Sequence, residues 1–416
     1  MKRQPVLLVG TLSLTAALAV GCSDGGKGDG GQTATTRPAD VAASSTSGEA
    51  AAKRTGPPTG VVTDAVTSGD GRAILTEDSV VSLSATGART CRLTAQSLVA
   101  PRTPKWRIEK VDDLQLGCAG EWLALAGSTL VLPYVKETPD KGIESGNTEK
   151  GVLGLNLDGS HRWHTAIADV DTVIGANERF VLAADTRSML PGSPEKRFTA
   201  VLDADSGRML WQLPGLNPVG IDGNVVLSTN DANDKLMALD ATSGQQRWST
   251  GMSDGSVGFI GTGIVAVPLL QNPKNVIDYD AKVLLHDVNS GAVLYTEPDT
   301  ALFPTCVSDG TVAVVCQADG GGVDGNLIFS FDLRTKQRSW GIPHEQVRES
   351  GIRIRLMVDG RLFVATKTGG ALVDAATGKQ VAHSLAVTPD LVRGAYGIDH
   401  HNNTGRKEFS VYRLTW

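Results

Sequence analysis

Residues 201–211 read VLDADSGRMLW and residues 238–248 read ALDATSGQQRW. In both, an aspartate (Asp203, Asp240) is followed four residues on by glycine (Gly207, Gly244), and four after that by tryptophan (Trp211, Trp248). The apolar residues before the aspartate and the mixed run after the glycine predict two strands joined by a tight turn. Glycine supplies the positive φ that closes such a hairpin, and the aspartate accepts from backbone N–H groups inside the turn. The tryptophan then stands at a fixed point of the second strand, where it can bury a large apolar face between neighbouring sheets.

The unit recurs downstream as HDVNSGAVLY (Asp287, Gly291, Tyr295), FDLRTKQRSW (Asp332, Lys336, Trp340) and VDAATGKQVA (Asp374, Gly378, Ala382). Upstream, LNLDGSHRW sets Gly159 four before Trp163, and SLSATGARTC sets Gly87 four before Cys91. The anchors at 91, 163, 211, 248, 295, 340 and 382 are mostly about forty to fifty residues apart, the spacing of propeller blades. Another turn and strand stands ahead of most units, as in DGNVVLST, TGIVAVPLL, DGTVAVVCQ and DGRLFVATK. Each repeat is thus about four short strands, and the expected fold is an all-β β-propeller of four-stranded blades. Residues 60–93 parallel residues 351–385 strand for strand, which makes the first stretch a full blade. Units centred on Gly159, Gly207, Gly244, Gly291, Lys336 and Gly378 follow, and the C-terminal piece from Leu391 supplies two more strands. Eight blades are expected, with seven and a different closure as the alternative. The ring is closed by a strand from near residues 59–66 against the C-terminal strands, which removes exposed edges.

The recurring D-x-x-[ST]-G-x-x-x-W hairpin resembles the repeat of the pyrroloquinoline-quinone (PQQ)-like propellers, over roughly residues 60–416. That family includes quinoprotein dehydrogenases and also cofactor-free lipoproteins, among them the propeller subunit of the β-barrel assembly machinery. In the dehydrogenases the resemblance implies a cofactor in the central channel near a disulfide of adjacent cysteines, with Ca²⁺ and a catalytic aspartate. This chain has no Cys-Cys dipeptide and no C-x-x-C-H haem motif. Asp203, Asp240, Asp287, Asp332 and Asp374 have a turn-capping role that needs no cofactor. The expectation is a chain that is not an enzyme and holds no cofactor, with a PQQ-dependent dehydrogenase or other propeller enzyme as the alternative.

The N-terminus reads differently. Lys2 and Arg3 precede an apolar run from Val6 to Val20, and Leu18-Ala19-Val20-Gly21-Cys22 resembles a bacterial lipobox. Residues 1–22 are therefore expected to be a lipoprotein signal peptide, with Cys22 acylated after cleavage. Residues 23–58 have almost no large apolar side chains and are expected to be a disordered tether. Residues 59–416 are expected to form the propeller domain. Six of the 39 Lys/Arg and four of the 45 Asp/Glu lie in residues 1–58, leaving −8 on the domain. That sign disfavours nucleic acid or anionic lipid as a partner. The expected location is the extracytoplasmic side of the cell membrane, reached through the lipid alone.

Cys91, Cys118, Cys306 and Cys316 remain for disulfides in an exported protein. Nearest-neighbour pairing, Cys91–Cys118 and Cys306–Cys316, is expected, although the turn Ser308-Asp309-Gly310 sets the second pair out of register. Metal sites are not expected. His161 and His164 would fall on opposite faces of a strand by alternation. His400-His401 reads as a solvated loop, and Asp231, Asn233 and Asp234 lack the glycine and glutamate of a calcium loop. Long insertions at Lys136–Lys150, Thr186–Arg197, Gln271–Asp280, Ala318–Asn326 and Asp399–Lys407 fall between second and third strands, whereas Thr368-Gly369-Gly370 is minimal. Insertions gathered on one face mark the expected side for an envelope protein or other ligand.

Overall fold

The structure, a computed structural model, describes residues 57–416 except 63, 88–89, 101–103, 118–122, 139–146, 186–196, 254–256, 271–280, 301–302, 320–325 and 404–405. Its strands form eight antiparallel sheets, the blades of an eight-bladed β-propeller. Blades 1 to 7 span 72–108, 110–166, 172–214, 216–251, 258–300, 303–343 and 353–385; blade 8 joins 391–415 to 60–70. In each ordinary blade four consecutive strands, a to d, pair in sequence order. The second strand of blade 4, Val225–Asn230, is a continuous buried run, because neighbouring blades cover both of its faces. Its outermost strand, Gln246–Gly251, is exposed or half-buried throughout. The core therefore lies between blades, as where Phe180, Leu182 and Val201 of blade 3 meet Val226, Leu239 and Ala241 of blade 4.

The repeated hairpin joins strands c and d, and in blades 3, 4, 5 and 7 it also latches the blade to the one before it. The backbone N–H of Gly207 donates to the Asp203 carbonyl at 2.9 Å, and Ser206 donates through both N–H (2.9 Å) and hydroxyl (2.7 Å) to the Asp203 carboxylate. Asp240, Asp287, Asp332 and Asp374 accept in the same way from Ser243, Ser290, Thr335 and Thr377. The tryptophan of the preceding blade then lies over the turn. Trp163 Nε1 donates to the Ala204 carbonyl (3.0 Å), Trp211 to Ala241 (2.8 Å), Trp248 to Val288 (2.8 Å) and Trp340 to Ala375 (2.8 Å). Glycine in the turn thus has two tasks. Gly291 has φ 72°, and a Cβ there would stand 2.7 Å from the Trp248 ring. Lys336, with φ 58°, is the non-glycine exception, and the blade before it carries Tyr295 instead of tryptophan. Tyr295 packs on Phe329 and Phe331 and its hydroxyl donates to buried Glu297, which also pairs with Arg338 at 3.0 Å.

Blade 1 departs from the sequence expectation. Residues 60–70 belong to blade 8, where Gly60–Val61 and Thr67–Asp70 pair with the last strand, Arg406–Thr415. The C-terminal piece contributes three strands, not two. Blade 1 begins at Arg72, so Gly87 and Cys91 lie at its b–c connection rather than its c–d hairpin. Its anchor is Trp106, whose Nε1 donates to the Leu157 carbonyl of blade 2 at 3.0 Å. The c–d turn is built without aspartate or glycine at the repeat positions: Ser97 Oγ accepts from the N–H groups of Val99 (3.2 Å) and Ala100 (3.1 Å). The anchors are also less buried than expected. Trp163 is 7% exposed, whereas Trp106, Trp211, Trp248 and Trp340 are half-buried at the rim.

Cys306 and Cys316 are disulfide-bonded, with Cα atoms 4.1 Å apart. They are directly opposed in register, contrary to the expected offset, because the turn runs on through Thr311 and Val312 and pairs Ser308 with Val314. Cys91 is also disulfide-bonded; Cys118, its expected partner, lies outside the described residues, as do Cys22 and nearly all of the expected tether.

Candidate binding face

Alternating strand direction puts the a–b turns and c–d hairpins of every blade on one face, and the b–c connections with the d–a crossovers on the other. The first face is occupied by the ring's own bonds. Besides the tryptophan latches, the a–b turns are linked: Asn177 Nδ2 donates to the Gly223 carbonyl at 2.9 Å, and the Gly360 N–H donates to Asp309 at 2.5 Å. Burial pushes the Asp309 carboxyl up, but the N–H groups of Gly360 and Thr311 outweigh it and hold the group below its ordinary value.

The second face is irregular. In blade 2 the b and c strands, Thr129–Thr138 and Asn147–Asn156, are ten residues each and pair along their whole length. The two ends of the expected 136–150 loop, 136–138 and 147–150, are therefore a β-ribbon, and 139–146 lie outside the described residues. The connections expected at 186–197, 271–280 and 318–326 lie mainly outside the described residues. The 399–407 insertion is a correction: Asp399 to Asn403 are strand, and Asn403 already pairs with Arg406. Crossovers also enlarge this face. The helix His344–Ser350 leads from blade 6 to blade 7, and a hairpin of Lys110–Val111 and Leu114–Leu116 leads from blade 1 to blade 2.

Two polar groups stand out. At the meeting of blades 7, 8 and 1, Asp390 pairs with Arg355 (3.2 Å) and accepts from the His400 N–H (2.9 Å), while His400 Nε2 lies 3.2 Å from the Ala73 carbonyl. Burial raises the Asp390 carboxyl, but His400 and Arg355 outweigh it and leave it lowered. Asp399 beside it is raised, by burial first and by Asp390 second. His400 and His401 are strand residues and do not converge, since His401 instead faces Glu408 at 3.4 Å. This cluster ties strands of three blades together.

The other group is His161 and His164. They share a face, contrary to the alternation expected. Leu155 pairs with His161 and Gly154 with Trp163, so a β-bulge at Arg162 inserts one residue between the two histidines. The rings stack at 27° with centroids 5.2 Å apart. Asp231, Asn233 and Asp234 hold no cation geometry; Asn233 Oδ1 accepts from Thr229 (2.9 Å) and Asn217 (3.3 Å). Among the described residues no group of three or more His, Cys, Asp or Glu could hold a metal ion, and no helix is long and apolar enough to cross a membrane.

The family described as "Outer membrane protein assembly factor BamB" matches residues 195–384, from within blade 3 to the last strand of blade 7. No curated protein matches the chain. Among solved structures, BamB from Moraxella catarrhalis superposes with TM-score 0.51 at 13% identity, covering 85% of this chain and 100% of that one. A europium-containing methanol dehydrogenase gives 0.49 at 11%, covering 84% and 93%. A quinohemoprotein alcohol dehydrogenase from Comamonas testosteroni gives 0.47 at 9%, covering 86% and 75%. The chain is therefore a β-propeller that resembles BamB in fold, and it carries the BamB family's match over residues 195–384.

Proposed function

We propose that this chain is a lipid-anchored, extracytoplasmic propeller that binds or scaffolds an envelope partner on the face formed by its b–c connections and d–a crossovers. The observation that carries this reading is the unequal use of the two faces. On one, the repeat residues are consumed by latches that hold the ring, and the c–d turns of blades 3, 4, 5 and 7 share one form. On the other, connection lengths differ from blade to blade, from the four-residue Thr366–Gly369 closure to the extended blade 2 ribbon. Surface connections free of such duties are where recognition is built. The resemblance to an outer membrane protein assembly factor supports holding another envelope protein over turning over a small molecule. The signal-like residues 1–22, ending at Cys22, support anchoring through lipid.

The test is crosslinking followed by purification from detergent-solubilised membranes. Chains shortened across 139–146 and 186–196 should keep their melting temperature and lose the crosslinked partner. If the partner instead survives these deletions and is lost on altering the turns at Gly244 or Gly291, it docks on the opposite face.

A further inference from the structure

We propose that His161 and His164 form the nitrogen pair of an open binding site for a borderline divalent transition metal, Zn²⁺, Cu²⁺ or Ni²⁺, on blade 2 beside its first hairpin. Their nitrogens already stand at ligand spacing. His164 Nδ1 lies 3.2 Å from His161 Nε2. Two imidazole nitrogens bound tetrahedrally at about 2.0–2.1 Å from one zinc ion stand about 3.3 Å apart. Without a metal the two rings share a single N–H···N bond; with one, both lone pairs turn to a common point.

The surroundings set each ring for this role. His161 Nδ1 faces Asp112 Oδ2 at 3.1 Å. A carboxylate that accepts the Nδ1 proton leaves Nε2 as the ligating lone pair, the arrangement that orients metal-bound histidines. Asp112 reaches this point through the crossover hairpin, whose tip it occupies with φ 54°. His164 is held edge-on against the Tyr134 ring, with centroids 5.7 Å apart. Tyr134 in turn donates its hydroxyl to Glu149 at 2.8 Å. Asp113 is engaged by Lys136 at 2.7 Å, which leaves Asp112 as the carboxylate that addresses the pair. The protein supplies two ligands here, so the remaining coordination positions fall to water or to a side chain of a docked partner. Imidazole pairs suit zinc, copper and nickel, whereas calcium and magnesium require oxygen donors.

The experiment is calorimetric titration of the purified full chain with ZnCl₂, paired with electron paramagnetic resonance of the Cu²⁺-loaded chain. One equivalent should bind, with two nitrogens coupled to copper. His161→Ala and His164→Ala should each weaken binding at least tenfold, and Asp112→Asn about tenfold through ring orientation. His400→Ala with His401→Ala should leave binding unchanged. Melting curves without metal check that the variants fold, and His161→Gln with His164→Gln replaces the alanines where they do not. Undiminished affinity in the double His161/His164 variant overturns the proposal, as does the absence of any zinc or copper binding by the unaltered chain.

Discussion

Gly291→Ala tests whether the turn glycine is required for its backbone angle alone or also for the ring that lies on it. At φ 72° an alanine sits in the left-handed region, which costs about 1–2 kcal/mol. Its Cβ would also stand 2.7 Å from Trp248, where ordinary contact begins at 3.4 Å. The indole has little freedom to move away, because Nε1 is bonded to the Val288 carbonyl and the ring stacks on His286 at 10°. Overpacking of this kind costs about 1–3 kcal/mol, so Gly291→Ala should lose about 3 kcal/mol in all. In a Trp248→Tyr background the smaller ring removes most of the second part. Gly291→Ala should then cost only about 1–2 kcal/mol, a coupling of roughly 1–2 kcal/mol between positions in contact. The chain already contains this pairing, in Tyr295 of blade 5 and Lys336 of blade 6. Lys336→Gly should accordingly change stability by less than about 1 kcal/mol, relief of φ being offset by unfolded-state entropy. Urea unfolding followed by circular dichroism measures all four chains of the cycle. Additivity within about 0.5 kcal/mol would mean that glycine serves the backbone angle alone, and the account of the latch would be wrong.

Three other outcomes are expected. Asp203 is held below the ordinary carboxylate value of 3.8 by the Ser206 hydroxyl, Asp240 by Arg247 and Asp332 by the Thr335 N–H. Depressed carboxylates contribute stability that is fully present well above 3.8 and is lost as pH falls through their folded values. The melting temperature should therefore hold from neutral pH down to about 5 and fall below 4, less steeply in Asp240→Asn; identical acid profiles for the two chains would refute the assignment. PQQ with Ca²⁺ should give no heat of binding and no dye-linked alcohol oxidation, and micromolar calcium-dependent binding would move the chain among the quinoproteins. Cys22→Ala should release the protein from the membrane pellet after carbonate washing with its melting temperature unchanged; retention in the pellet would refute lipid anchoring.

The eight blades were legible because each repeat residue meets several demands at once. Asp240 closes a turn, Gly244 turns the backbone and admits an indole, and Trp211 of the previous blade supplies that indole and bonds the same turn. Few substitutions satisfy all of these, so the motif survives in sequence. Blade 1 was misread because its turn meets the same demands with other chemistry: Ser97 does the work of aspartate, and Ser97 and Trp106 are nine residues apart, not eight. Trp106 itself was the available signal. The shared face of His161 and His164 was hidden by a bulge, yet the bulge is a repeat property. Pairing shifts at the same place in blades 3 and 4, between Val201 and Leu202 and between Ala238 and Leu239. Simple alternation fails beside every anchor, and a histidine three before another across that point faces the same way.

The binding face was legible only as a pattern of lengths, and length alone is weak evidence. Doubling a loop costs only about 0.6 kcal/mol in closure entropy, so insertions accumulate where nothing opposes them. What separates the blade 2 insertion from a tolerated loop is its order. A connection kept for no purpose has no reason to stay paired, yet Thr129–Thr138 and Asn147–Asn156 remain in register to their ends at Thr138 and Asn147. Nor has it reason to be braced, yet Lys136 reaches Asp113 of the crossover hairpin, and Tyr134 is bonded to Glu149 across the ribbon. The exposed Lys136–Asp113 pair contributes little to global stability, and the Tyr134 bond lies against the buried ring. Their effect is local: they hold one hairpin against another at the edge of the ring. Ordering a surface element in advance lowers what a partner must spend on binding it, so the blade 2 ribbon is where a docking partner should be sought first.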